Sequence, residues 1–415
     1  MDQHTHVHSH AHGARALTLI SLAHGINHAQ GALKPLVYPL VLRELGFGYS
    51  ELGILLGIAS AVGGSLQIVA GGLARIVPRH LLLGLGNASV GVFFVLVALA
   101  QSFFQFSLWT VLSRIGGAVQ HPVGSSLLSH HFQHARLGSA LATHFTAGNL
   151  GTAAIPFIAA LMIGLWGWRV TTILFAVPAI LVGIAMCLKL HDPRPSVHTG
   201  ASSTASFFQD SCDALRNPGL RWILLSTAVA AGGSGHGIIS SFLPLYLSHS
   251  LGMNAPAVGF IFTLLMLGSV IGPMLGGWLA DQYSARRVIL GGLALAALST
   301  ITLPSVAANP WLLPVIAFVL GIGAFGVHPI LQTLLAEITD DHLRDIAFAL
   351  FYTATFLAGA VWSPAVGYLA DRFGLESTFA AMAASFVAAS LCILLARFGE
   401  ASVLRAAARG PGLNA

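Results

Sequence analysis

The sequence sets basic and imidazole groups at helical spacing inside apolar stretches. His24, Asn27, His28, Gly31 and Lys34 stand at offsets 0, 3, 4, 7 and 10, which puts them on one face of a helix. Arg114, Gly117, His121 and Ser125 follow the same rule, as do His328 with Gln332 and His236 with Ser240. Ionisable groups in such stretches are costly and face a protein interior or a water-filled path. A Lys34 ammonium and an Arg114 guanidinium, the second able to grip two oxygens at once, suit a carboxylate, phosphate or phosphonate. All 14 acidic residues fall in loops, tails or near helix ends, among them Glu44, Glu51, Asp281, Glu337 and Asp371. With no carboxylate in mid-span, cationic solutes are disfavoured. Proton carriage falls to histidine, the side chain that changes charge readily near neutral pH. His24 and His28 are the candidates for proton coupling, with His144 further along the chain. Lys34, Arg114, Asn27, Gln120, His121, His236, His328 and Gln332 are the candidates for substrate binding.

Histidine offers a second chemistry. His4, His6, His8, His10 and His12 alternate with other residues ahead of the first apolar stretch, a composition able to chelate zinc, nickel, copper or cobalt while the imidazoles are neutral. The alternation suits an extended chain, but no second fixed ligand set completes a cage. A tail without function accounts for the tract equally well. No cofactor loop is present.

These groups need elements that hold them in lipid. Of 415 residues, 55% are hydrophobic and only 8% charged, against roughly 25% charged in soluble domains. A spanning helix takes about 20 apolar residues. Twelve such stretches are read, at 16–42, 51–74, 81–101, 104–130, 138–164, 169–190, 220–247, 257–280, 287–306, 310–336, 345–368 and 376–397. Among the 46 glycines, Gly63, Gly64, Gly71 and Gly72 read as small residues that let helices approach closely. Cys187, Cys212 and Cys392 sit in two spans and a loop, so paired disulfides are not expected. No cleavable leader is expected, because the His-rich start runs directly into a full-length apolar stretch.

With the N-terminus on the cytoplasmic side, 14 of the 19 Lys and Arg residues fall on that side and three on the other, leaving Lys34 and Arg114 within the membrane. By the positive-inside rule both termini are cytoplasmic. The net charge of +5 then records insertion, and no basic face with interleaved aromatics points to nucleic acid.

A shift of about 206 residues superposes one half on the other. Gly71-Gly72-Leu73-Ala74-Arg75 falls on Gly277-Trp278-Leu279-Ala280-Asp281, and Gln120-His121-Pro122 on Val327-His328-Pro329. The expected organisation is a His-rich tail at 1–14, a six-helix bundle at 15–190, a cytoplasmic linker at 191–219, a second bundle at 220–398 and a tail at 399–415. Repeats of this kind place a substrate site near the bilayer midplane, reached alternately from each side.

Gly277-Trp278-Leu279-Ala280-Asp281 followed by Arg286-Arg287 resembles the cytoplasmic signature of the major facilitator superfamily. Arg114-Ile115-Gly116-Gly117 resembles its fourth-helix motif, and Gly167-Trp168-Arg169 its turn between the fifth and sixth helices. The resemblance covers nearly the whole chain. It implies an all-α membrane fold of twelve helices in two pseudo-symmetric six-helix bundles, with helices one, four, seven and ten lining the cavity. It also implies a conformational latch at Asp281, Arg286 and Arg287. In the N-terminal copy Arg75 replaces the Asp and only Arg79 survives. More narrowly, His24-Gly25, Gly31-Ala32-Leu33 and Gln120-His121-Pro122 are similar to the fosmidomycin-resistance exporters, whose known type exports a phosphonate antibiotic; Lys34 departs from that motif.

The expectation is therefore a secondary transporter in a bacterial inner membrane. It moves a small organic anion by alternating access with proton exchange as the drive, export ahead of uptake, and is monomeric by the default of the fold. A divalent-metal or metal-chelate transporter using His24, His28 and the tail is the alternative, and a ligand sensor on the same fold is another. No nucleophile, base and acid converge as in an enzyme.

Overall fold

The computed structural model describes residues 2–74, 76–132, 134–192, 204–233 and 235–396. Within these, side chains at 2–11, 67, 68, 71, 72, 134, 135, 204–208, 236, 341 and 345 lie outside the description. Among the described residues the chain is helical, with no strand.

The first half holds α1 (Asp2–Leu45), α2 (Tyr49–Leu73), α3 (Arg79–Ala98), α4 (Phe103–Gly117), α5 (Gln120–His131) and α6 (His134–Lys189). A short helix, α7 (Thr204–Leu215), lies in the segment expected to be linker. The second half holds α8 (Pro218–Ala230), α9 (Ser240–Leu245), α10 (Ala255–Gln282), α11 (Ala285–Thr302), α12 (Leu312–Ile338), α13 (Arg344–Phe373) and α14 (Leu375–Leu395). Nine helical stretches among the described residues are long and apolar enough to cross a bilayer. One of them, Arg136–Lys189, runs 54 residues and is two crossings joined at Gly167, where φ is 77°. The two expected spans outside these nine are α1, rich in His, Asn and Gln, and the pair α4 and α5, each shorter than a full crossing.

Two expected spans are not continuous α-helices. The fourth breaks between Gly117 and Gln120, because Pro122 has no N–H for the carbonyl four residues back and its ring crowds that carbonyl. The seventh passes from α8 through a 3-10 turn, Ala231–Gly233, and a π-helical turn, Gly235–Ile239, before α9 and a second π turn, Tyr246–Ser250. Hydroxyls of Ser240 and Ser241 donate to the carbonyls of Gly235 and Gly237, satisfying acceptors that the irregular turns release. The tenth span, α12, by contrast runs unbroken through Pro329.

The internal repeat is written into the backbone. Among the described residues the four with positive φ are Gly46, Gly167, Gly252 and Gly374, at 69°, 77°, 63° and 84°. Gly46 and Gly252 are 206 positions apart and Gly167 and Gly374 are 207 apart. A left-handed turn that favours glycine thus recurs at the repeat offset twice.

By contacts the chain forms two compact units. One comprises residues 1–48, 58–198 and 247–263; the other comprises 49–57, 199–246 and 264–415. In the first unit α3 lies against α6 at glycines: a Cβ on Gly183 would sit 2.5 Å from the Ala88 nitrogen and 2.6 Å from the Gly84 carbonyl. Such approach replaces the hydrophobic drive that lipid does not provide. Glu44 closes one end of this unit, accepting from Trp168 Nε1 at 2.6 Å and from Arg169 Nη2 at 2.7 Å, while Arg169 also donates to the Ala100 carbonyl at 2.9 Å. At the other end Asp192 accepts from the backbone N–H of Arg79 at 2.7 Å and pairs with its guanidinium at 3.5 Å. The surviving N-terminal basic residue therefore has its carboxylate partner at the far end of α6. In the second unit Asp371 caps α2 by accepting from the N–H groups of Tyr49 and Ser50 at 3.0 and 2.7 Å.

Candidate functional site

The polar face of α1 meets α6 where both helices carry glycine. A Cβ on Gly25 would lie 3.0 Å from the Ala147 carbonyl, and one on Gly148 would lie 2.7 Å from the His24 ring. Glycine at 148 is thus the room into which the His24 imidazole fits. His24 is 1% exposed, and its Nδ1 lies 2.8 Å from the carbonyl of His144. A carbonyl only accepts, so Nδ1 carries the proton and Nε2 holds the lone pair; that buried Nε2 has no hydrogen-bond partner. One turn on, His28 Nδ1 lies 2.8 Å from the Thr152 hydroxyl, which donates to the Gly148 carbonyl at 3.2 Å.

Around His24 gather three further imidazoles. His144 stacks on it with centroids 4.1 Å apart, His28 meets it edge-on at 4.5 Å, and exposed His121, delivered by the break before α5, meets it at 5.0 Å. The ring nitrogens of His24, His28 and His121 come within 4.8 Å of one another. The sequence pointed to each of these residues separately. What brings them together is the α1–α6 crossing, which no spacing in the sequence displays.

Asn27 and Gln120 have a different place. Asn27 Nδ2 donates to Asn87 Oδ1 at 2.6 Å and to the Ala23 carbonyl at 2.9 Å. Asn87 Nδ2 donates to Gln120 Oε1 at 2.9 Å and to the Leu83 carbonyl at 2.8 Å, and Gln120 Nε2 donates to the Ile20 carbonyl at 3.3 Å. Asn87 and Gln120 are each 2% exposed. The chain of amides ties α1, α3 and α5 to one another, so Gln120 holds helices together with both ends of its side chain. Asn87, a lone amide in an apolar helix, carried no periodic signal and was missed.

Lys34 and Arg114 lie near enough to act on each other electrostatically. Lys34 Nζ sits 5.1 Å from the centre of the Phe94 ring, a cation–π placement. It borders a hollow lined also by Leu33, Tyr38, Thr110, Ser113 and Thr172. Arg114 follows Ser113 directly and acts electrostatically on both Lys34 and Tyr38. Its guanidinium lies beside α2 at Gly63, where a Cβ would come within 3.0 Å of Nη2, yet the side chain as a whole is exposed. No carboxylate lines the hollow. Lys34 borders the hollow and Arg114 follows its lining residue Ser113, so two basic side chains stand near one mostly apolar hollow.

The remaining candidates are placed elsewhere or lie outside the described residues. His328 and Gln332 are half-buried in the second unit, with the His328 ring 4.9 Å from Phe351. The side chain of His236 lies outside the described residues, as does all of Arg75. At the expected latch Asp281 and Arg287 are exposed, and Arg286 donates to the Leu394 carbonyl at 2.8 Å. Ion pairs join Arg79 to Asp192, Arg169 to Glu44 and Arg216 to Asp213. The tract from His4 to His12 lies in the helical backbone of α1 and is not extended as its alternation suggests. The side chains of His4, His6, His8 and His10 lie outside the described residues.

The family model of the Major Facilitator Superfamily matches residues 20–254 and again 225–412. The chain belongs to this superfamily. It is thus a multi-pass membrane transporter and not an enzyme. Relatives of this superfamily member include the MFS-type transporter YfnC of Bacillus subtilis (strain 168), 26% identical over 91% of this chain and 92% of YfnC. Multidrug resistance protein MdtG of Citrobacter koseri is 25% identical over 88% of this chain and 90% of MdtG. Among solved structures, a bacterial homolog of the human lysosomal transporter Spinster, inward-facing and unoccupied, superposes with a TM-score of 0.74 at 18% identity, covering 95% of this chain and 97% of that one. That likeness bears on the fold alone.

Proposed function

We propose that this transporter moves a small organic anion, of the phosphonate or carboxylate class, across a bacterial inner membrane by alternating access, in the direction of export and with proton exchange as the drive. The observation that carries the reading is the electrostatic reach of Arg114 to Lys34, which borders a hollow that no carboxylate lines. Arg114 offers a bidentate grip on two anionic oxygens, and Lys34 offers a point charge beside Phe94. The first-helix and fourth-helix motifs similar to fosmidomycin-resistance exporters favour a phosphonate, and the likeness to MdtG favours efflux. The charge count of the loops favours cytoplasmic termini.

The test is transport in proteoliposomes with imposed pH gradients, using phosphonates, carboxylates, cationic dyes and divalent metals as solutes. Arg114→Lys is expected to raise KM for the anion about tenfold and Arg114→Ala about a hundredfold, from the loss of one or both charge-assisted hydrogen bonds. Transport of a cationic dye that is indifferent to Arg114→Ala would overturn the anion reading. Anion binding without counterflow would make the chain a sensor.

A further inference from the structure

We propose that His24, His28 and His121 form a binding site for a borderline divalent cation of the zinc, cobalt and nickel class, within the first unit and separate from the Lys34 and Arg114 pair. The three ring nitrogens already lie within 4.8 Å of one another. Metal–nitrogen bonds of about 2.0–2.1 Å at tetrahedral angles put ligand atoms about 3.4 Å apart, so closure needs only small ring rotations.

The surroundings are those of a prepared ligand set. Metal-binding histidines hold their second ring nitrogen on a carbonyl or hydroxyl, which fixes tautomer and orientation. His24 does this on the His144 carbonyl at 2.8 Å, and His28 on the Thr152 hydroxyl at 2.8 Å. With the Thr152 proton committed to the Gly148 carbonyl, its oxygen accepts from His28 Nδ1–H and leaves Nε2 as the lone-pair nitrogen. His24 Nε2 is buried and has no hydrogen-bond partner, a costly state for a polar atom. A bound cation satisfies it. His144, stacked at 4.1 Å, backs the His24 ring, and glycine at 148 keeps its space clear.

The donor set selects the ion. Three imidazoles with no carboxylate favour zinc, cobalt, nickel or copper over magnesium and calcium, which require oxygen. Exposure of His121 leaves one side open, so a water, hydroxide or solute donor takes the fourth position. An anionic fourth ligand would also offset the added charge inside the membrane.

The tail histidines would bind metal too, so the experiment uses full-length protein in detergent, purified without a histidine tag, with His4, His6, His8, His10 and His12 replaced by Asn. Cobalt is titrated and its visible absorption recorded, with zinc as competitor. One cobalt per chain with an intense tetrahedral spectrum is expected. His121→Gln, at an exposed position, and His28→Gln should each weaken binding at least a hundredfold. Thr152→Val should weaken it about tenfold, as loss of an outer-shell partner does. Arg114→Ala should not weaken it, which separates this site from the anion site. Absence of stoichiometric cobalt in the tail-substituted protein, or its undiminished retention in His121→Gln, would overturn the proposal. So would loss of pH-driven transport in the histidine variants without any cobalt binding, which would make these residues proton carriers.

Discussion

Replacing Asn87 by Leu separates a structural amide chain from a substrate-binding one. The substitution keeps the branching and the number of heavy atoms and removes three hydrogen bonds, of 2.6 Å from Asn27, 2.9 Å to Gln120 and 2.8 Å to the Leu83 carbonyl. Asn27 retains the Ala23 carbonyl, whereas Gln120 Oε1 is left without this donor in a side chain only 2% exposed. One buried acceptor without a partner costs about 1–3 kcal/mol. Hydrogen bonds between helices in membranes average about 0.6 kcal/mol each, so the two lost between helices give about 1 kcal/mol, at the lower end of that range. For a unit of this size about 1 kcal/mol corresponds to a fall of roughly 2–4 °C in unfolding temperature. The assay is thermal unfolding in detergent at fixed scan rate, since large proteins unfold irreversibly and the midpoint depends on rate. Gln120→Leu should fall by a similar amount and the double variant by less than the sum, because the two residues share a bond. An unchanged midpoint in Asn87→Leu, together with a raised KM in a fully stable Gln120→Leu, would refute the structural assignment and return Gln120 to the substrate.

Two further outcomes follow from the ends of the first unit. Asp192→Ala, which removes both the cap on α3 and the partner of Arg79, is expected to lower the unfolding midpoint by several degrees, with Asp192→Asn intermediate because it keeps an acceptor for the Arg79 N–H. At Glu44 the hydrogen bond from Trp168 and then that from Arg169 hold the carboxyl below its ordinary range; a depressed folded value means stabilisation that is complete above the unfolded value of about 4.3 and fades as pH falls through the folded one. Thermal midpoints measured from pH 6 downward should therefore decline more steeply in the native protein than in Glu44→Gln.

The elements were legible because lipid leaves few solutions. Apolar length and short polar breaks give the spans, and the 206-residue offset reappears as paired left-handed glycines at Gly46 with Gly252 and Gly167 with Gly374. The breaks in the fourth and seventh spans were less legible. His121-Pro122 and His328-Pro329 read alike in sequence, yet α5 starts afresh while α12 continues; tertiary packing decides whether a proline interrupts. Site residues were legible as types on a face, not as partners. His24, Asn27, His28 and Lys34 share one stripe of α1, but the structure parts them. The histidines turn to α6, Asn27 to α3 and α5 through Asn87, and Lys34 to Phe94. Which neighbour a side chain meets depends on helix crossings that the glycines permit but do not announce.

The two chemistries on α1 are close enough to influence each other. His24 and His28 stand ten and six residues from Lys34, or about 15 and 9 Å along the helix axis at 1.5 Å per residue. A carboxylate held at Lys34 and Arg114 therefore takes the fourth position of a cation at His24, His28 and His121 only where the solute itself spans that gap. Through space the two still act on each other. A dication and a single negative charge 15 Å apart attract by about 0.5 kcal/mol at a dielectric of 80 and about 2 kcal/mol at 20. That is a factor of between about 2 and 40 in affinity, and by reciprocity the anion tightens the cation by the same factor. A cation at the histidines would thus act on the anion as a modulator of its hold, and the neutral imidazoles make that modulation depend on whether metal is present.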